Sequence, residues 1–194
     1  MASHDSFTAA LNRHRTLFSA VDDLADQALA LLDMTRQSLQ RGGKIVFLGN
    51  GGSAADSQHL AAEFMVRYRA ERGPLAAIAL TTDTSILTAH PNDYDFASVF
   101  ERQVQGLVKA EDVVIGLTTS GNSENVNRAL AAANNLGAAT VALTGRDGGK
   151  VKTIAGLSII VPSDETARIQ EVHMFLGHWL CEAMDDVITG EQRS

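Results

Sequence analysis

Beyond residue 43 the chain alternates between two hydrophobic patterns. Five short runs, 44–48, 76–80, 112–117, 139–143 and 157–161, are largely apolar and rich in Val, Ile, Leu and Ala. Between them lie stretches whose apolar residues return every three or four positions: 53–69, 84–107, 124–136, a short one near 149–154, and 167–188. A strand that is apolar on both sides suits a sheet covered on both faces. The strand–helix alternation therefore predicts an α/β domain with a five-stranded parallel sheet. Pro91 predicts a break within the second helical stretch. Ahead of residue 43 the pattern is helical over 5–41, with Leu24, Ala28, Leu31, Leu32 and Met34 at helical spacing, a break near 18–22, and Gly42-Gly43 as the stop. This N-terminal helical segment, 1–42, is expected to pack on the core or on another subunit. No linker, internal repeat or low-complexity tract divides the chain.

Composition narrows the function classes. With 194 residues, 45% of them hydrophobic and 20% charged, the chain is long enough for one well-packed domain. Aromatics are only 5%, so the core must be aliphatic. A net charge of -7 argues against nucleic-acid binding, which needs clustered Lys and Arg. Cys181 is the only cysteine, which excludes an internal disulfide and a cysteine-based zinc cluster and fits a reducing compartment. The first 15 residues lack the apolar core of a secretory signal, and no run approaches the roughly 20 apolar residues of a membrane span. The expected location is the cytoplasm, with no membrane contact.

Ligands of open parallel sheets gather at the carboxyl ends of the strands. Two such ends carry phosphate-binding chemistry. Gly49-Asn50-Gly51-Gly52-Ser53 joins the first strand to a helix, where glycines allow close backbone approach and the helix N-terminus offers free N–H groups. Ser53 is suited to cap that helix and to donate its hydroxyl to an oxyanion. Thr118-Thr119-Ser120-Gly121-Asn122-Ser123 follows the third strand and places four hydroxyls in six residues, with Ser123, near Asn125 and Asn127, suited as the entry to the next helix. Each loop alone also reads as an ordinary strand-to-helix turn. Gly49, Gly51 and Ala54 satisfy the permissive dinucleotide fingerprint. The acidic residue such a site wants about 20 positions later is missing, Asp83 lying too far along.

His59 and Glu63 are one turn apart on the helix after the first loop, and this pair can ligate a metal ion or be a surface pair. The last helix carries Gln170, Glu171, His173 and His178. Spacing favours Glu171 as the partner of His178, whereas Gln170 lies about 80° around the axis from it. Geometry alone leaves that partner open.

Taken together, residues 49–63, Leu80-Thr-Thr-Asp83, Asn92-Asp93-Tyr94, Thr119-Ser-Gly-Asn-Ser123, Leu143-Thr-Gly-Arg-Asp-Gly-Gly149 and Ala167-Arg-Ile-Gln170-Glu-Val-His173 closely resemble the sedoheptulose-7-phosphate isomerase family of the sugar isomerase (SIS) domain group. The likeness spans about residues 43 to 186, and it implies an SIS domain over 43–194. It implies a zinc ion held by His59, Glu63, Gln170 and His178, choosing Gln170 where spacing could not, and an acid–base pair of Glu63 and His178. The phosphate would rest on Ser53, Thr118, Ser120 and Ser123. Asn50, Gly51, Gly52 and Thr119 would line the pocket, with Gln170 also facing substrate. Asn92, Asp93 and Arg67 would meet the sugar. A homotetramer with active sites between subunits is implied as well. So is a sugar-phosphate substrate, sedoheptulose 7-phosphate, whose heptose product would feed a bacterial surface glycan. Three positions depart from the pattern: Thr118 where the family often has Ser, Ala167 where some members carry an acidic sugar contact, and Pro91 before Asn92-Asp93. Two rival readings follow: a non-catalytic SIS-type adaptor, against which the presence of Glu63 and His178 argues, and an isomerase of another sugar phosphate.

Overall fold

The structure is a computed structural model and describes residues 3–190. Residues 1, 2 and 191–194, at the ends of the two ranges 1–42 and 43–194, lie outside the described residues. Two helices lead, α1 (His4–Phe18) and α2 (Ala25–Gln40), joined through a short 3-10 turn at Val21–Leu24. Ser3 caps α1, its hydroxyl accepting the Ser6 N–H at 3.2 Å. Gly42, with φ +79°, ends the second helical run, its N–H donating to the Leu39 carbonyl at 3.1 Å.

Five strands follow: β1 (Ile45–Gly49), β2 (Ala77–Ala79), β3 (Val113–Thr118), β4 (Ala139–Gly145) and β5 (Leu157–Val161). They form one parallel sheet in the order β2-β1-β3-β4-β5, with Ile45 opposite Val113 and Phe47 opposite Ile115. Alternate side chains feed two cores. Ile45 and Phe47 pack with Leu31, Leu60, Phe64, Val172 and Leu176 beneath α2, α3 (Gly52–Met65) and α7 (Thr166–Thr189). Val46 and Leu48 pack with Phe100, Val104, Val126 and Leu130 beneath α5 (Val99–Leu107) and α6 (Glu124–Asn135). The continuous apolar strands thus have the reason expected of them, a helical layer on each face. Among the described residues no helix is long and apolar enough to cross a membrane.

Three boundaries differ from expectation. β2 keeps only three residues because it is the sheet edge, with Ile78 exposed. α3 stops at Met65 rather than 69, where Val66 (ψ −78°) leaves the helix. The helix α4 (Thr84–Asp93) does not break at Pro91. Proline lacks the N–H that would reach back one turn, yet Tyr94 N–H still donates to the His90 carbonyl at 2.9 Å. The chain turns at Tyr94 instead, and Asp95 caps the next turn by accepting the Ser98 N–H at 2.7 Å.

Candidate active site

Sheet order fixes where the chemistry collects. β1 connects outward to β2 on one side while its other neighbour is β3, so the direction of winding reverses between β1 and β3. A crevice opens at such a reversal, beyond the carboxyl ends of the two strands. Both hydroxyl- and glycine-rich loops leave the sheet there.

The two loops touch. Asn50 Nδ2 donates to Asn125 Oδ1 at 2.8 Å, and Asn125 Nδ2 donates back to Asn50 Oδ1 at 2.8 Å. A Cβ on Gly49 would stand 2.9 Å from the Leu117 carbonyl oxygen of β3. Gly51, at φ +57°, is the residue from which α3 starts, so Ser53 does not cap the helix as its spacing suggested; it is buried inside the first turn. Ser123 precedes α6 without capping it, and its hydroxyl pairs instead with that of Thr118 at 3.0 Å. Ser120 accepts the Asn122 N–H at 3.2 Å. The second loop also leans on residues 146–149: a Cβ on Gly121 would fall 2.0 Å from the Gly148 carbonyl. Asp83, weighed against the dinucleotide pattern, is the N-cap of α4, accepting the Ile86 N–H at 3.0 Å.

Beside the first loop, α3 and α7 pack so closely that their histidines meet. Gly177 makes this close approach: a Cβ there would lie 2.5 Å from Leu60 Cδ2. The next residue of α7 and the previous one of α3 are then neighbours, His59 Nε2 lying 2.9 Å from His178 Nε2. Glu63 Oε1 is 3.4 Å from His59 Nε2. The Tyr68 ring stacks on His178 with centroids 5.7 Å apart, which limits rotation of the imidazole. Gln170 reaches from the start of α7 onto the glycine loop, its Nε2 being 2.6 Å from where a Gly52 Cβ would be. A cleft of about 610 Å³ runs from Gly52 and Asp56 past Gln170 and Met174 to His178.

On α7 the two candidate partners of His178 have different neighbours. Glu171 pairs with α1, where His14 Nδ1 sits 2.8 Å from it and Arg168 2.8 Å from its other oxygen, and with His14 it lines the same cleft. His173 is a packing residue: fully buried, it donates from Nε2 to the Thr144 carbonyl at 3.1 Å, and burial pushes its pKa down to about 4. Burial likewise pushes the Cys181 thiol up to about 12, which leaves it inert.

Not every expected residue converges. Within this chain Asn92 Nδ2 donates to Asp93 Oδ1 at 2.8 Å on the exposed end of α4, and Arg67 faces Glu71 at 3.9 Å. None of the three shares a hydrogen bond or ion pair with the His59–Glu63–His178 group. Thr119 is half-buried in the second loop. Among the described residues no group of three or more His, Cys, Asp or Glu is already spaced around one point as metal ligands. Gly177, Tyr68 and the Asn50–Asn125 pair were missed by the sequence reading, since each acts through a residue distant in sequence.

This architecture is that of an SIS-domain protein, and the SIS domain family model matches residues 11–145. Phosphoheptose isomerase of Aquifex aeolicus is 56% identical over 168 residues, 87% of this chain and 88% of that one. That of Geotalea daltonii is 45% identical over 94% of this chain and 96% of its own. Among solved structures, phosphoheptose isomerase GmhA from Neisseria gonorrhoeae superposes with a TM-score of 0.87 at 42% identity, covering 93% of this chain and 98% of that one. The enzyme from Francisella tularensis gives a TM-score of 0.92 at 33% identity, covering 96% and 100%. The chain belongs to the phosphoheptose isomerase family.

Proposed function

We propose that the chain is an aldose–ketose isomerase that converts sedoheptulose 7-phosphate to D-glycero-D-manno-heptose 7-phosphate, with Glu63 and His178 as the proton-transfer pair. The observation that carries this reading is the meeting of His178 with the His59–Glu63 turn, beside a cleft that runs from His178 to a glycine loop suited to phosphate. Moving the carbonyl from C2 to C1 requires one group to take a proton from C1 and return one to C2. A second group must exchange a proton between the two oxygens of the enediol. A carboxylate and an imidazole on facing helices are suited to this work. The hydroxyls of Ser53, Thr118, Ser120 and Ser123, with the backbone of Asn50, Gly51, Gly52 and Thr119, would hold the phosphate. Its binding energy would then position the reacting carbons. Asn92, Asp93 and Arg67 would complete the sugar site in an assembled homotetramer. Phe7, Leu29 and Phe175, exposed on α1, α2 and α7, support such an assembly by leaving apolar surface uncovered. A single free cysteine supports a cytoplasmic location.

The donor set suits zinc in kind: two imidazole nitrogens at 2.9 Å, a carboxylate next to them and an amide at the cleft. His59, Glu63, Gln170 and His178 would hold the ion. When bound, it supplies Lewis-acid stabilisation of the oxygen that becomes negative in the enediolate. The test is incubation of purified protein with sedoheptulose 7-phosphate, with chelator and with added zinc, and detection of the heptose phosphate. Turnover lost to chelator and restored by zinc supports the reading. No product under any condition rejects it, and full turnover in chelator rejects the metal.

A further inference from the structure

α3 and α7 are held in register by a group of residues outside the cleft. The chain leaving α3 runs back along α7 as a strap. Tyr68 stacks on His178, and Arg69 pairs with Glu182. Asp185 then accepts the N–H groups of Arg69 and Ala70, both at 2.8 Å. Asp185 is two turns beyond His178, about 20° around the helix axis from it, so the strap follows the face that carries His178. The strap ends at Arg72. Its guanidinium donates from Nε to Asp185 Oδ1 at 2.6 Å, from Nη2 to the Glu63 carbonyl at 2.9 Å and from Nη1 to the Phe64 carbonyl at 2.9 Å. Both side chains are buried, with 2% and 4% of their surface exposed.

The last carbonyls of a helix have no partner within it and carry its negative pole. Arg72 satisfies two of them on α3, one belonging to Glu63 itself. The same cation neutralises the buried carboxylate on α7. One planar fork therefore spans the two helices that bear the proton-transfer pair. We infer that Arg72, with Asp185, is a positioning residue that sets the distance between Glu63 and His178. This inference rests on the assignment of proton transfer to those two residues.

A lysine at 72 keeps the charge but has a single nitrogen, which cannot reach the carboxylate and both carbonyls in this geometry. The test is steady-state kinetics on the full chain carrying Arg72→Lys and, separately, Asp185→Asn, below the melting temperature of each. The reference variant is Asp112→Asn. It breaks another ion pair with a buried carboxylate, Lys44 Nζ to Asp112 Oδ2 at 2.6 Å, at the opposite end of the sheet from the loops. A misplacement of about 1 Å can cost around 100-fold in rate. The expected result for either folded positioning variant is kcat lowered about 10- to 100-fold with KM within about threefold, because the phosphate loops are untouched. Asp112→Asn should lower the melting temperature and leave kcat unchanged. A folded Arg72→Lys or Asp185→Asn with wild-type kcat, or an equal kcat loss in Asp112→Asn, overturns the inference. Measuring Glu63→Gln alongside separates the two claims: wild-type turnover there rejects the proton-transfer assignment itself, whereas an inactive Glu63→Gln beside an active Arg72→Lys rejects only the positioning role.

Discussion

Adding one methyl group at Gly177 should separate α3 and α7, the two helices that carry the proposed proton-transfer pair. A Cβ there would lie 2.5 Å from Leu60 Cδ2, 2.7 Å from Cδ1 and 3.1 Å from Cγ. Leu60 is 1% exposed and enclosed by the core, so it has little room to turn away. Restoring ordinary contact asks for about 1 Å of separation between α3 and α7, and overpacking of this kind costs about 1–3 kcal/mol. Alanine offsets roughly 1 kcal/mol of that through its better helix propensity. The net loss of stability for Gly177→Ala is then about 0–2 kcal/mol, small enough for the variant to fold. Catalysis should suffer more, because the 2.9 Å approach of His59 to His178 is made by the residues adjoining this contact. We expect kcat to fall about 10- to 100-fold with KM little changed. Shortening Leu60 to valine in the same chain removes both Cδ atoms and should recover most of the loss. The assay is kcat, KM and melting temperature for both single variants and the double variant. A folded Gly177→Ala with more than half the wild-type kcat would refute the reasoning.

Other expectations concern the loops and the core. Asn125→Ala removes both amide bonds to Asn50, at a cost of about 1–3 kcal/mol for the group left unpaired; KM should rise several-fold, more than kcat falls, and an unchanged KM would detach the loop–loop bond from phosphate binding. Ser120→Ala should likewise act on KM, and unchanged kinetics would remove Ser120 from the phosphate site. His173 contributes a pH dependence of known sign. Its pKa is about 4 when folded, against 6.5 for the free side chain, so the unfolded chain binds the extra proton between those values. Stability is therefore full above pH 6.5 and declines as pH falls to 4, by roughly 3 kcal/mol in all. Denaturant titrations across that range should show a shallower slope for His173→Gln, and identical slopes would contradict the assignment.

Much of this was legible in the sequence where cause and effect are close together. Apolar runs such as 113–118 became strands because their neighbours on both faces are helices. The loops after β1 and β3 announced themselves by glycine and hydroxyl content. Positions whose reason lies across the fold were not legible. Gly177 reads from sequence as a weak point in a helix and acquires its purpose only beside Leu60. Arg72 and Asp185, 113 residues apart, look like two surface charges until the strap brings them together. Glu171 had the better spacing with His178, and only the docking of α1 shows that its carboxylate pairs with His14 at the edge of the cleft. The early end of α3 has the same origin, since the chain must turn there for Arg72 to reach back to the carbonyls of Glu63 and Phe64.

The most direct test of the proton-transfer pair is turnover of sedoheptulose 7-phosphate in D₂O by Glu63→Gln and His178→Gln, following both kcat and deuterium entering C2 of the product. The wild-type protein should label C2 from solvent, and each variant should lose about 10²- to 10⁴-fold in kcat while keeping its fold. Either variant turning over at the wild-type rate, with C2 labelled as before, would contradict the assignment of the pair.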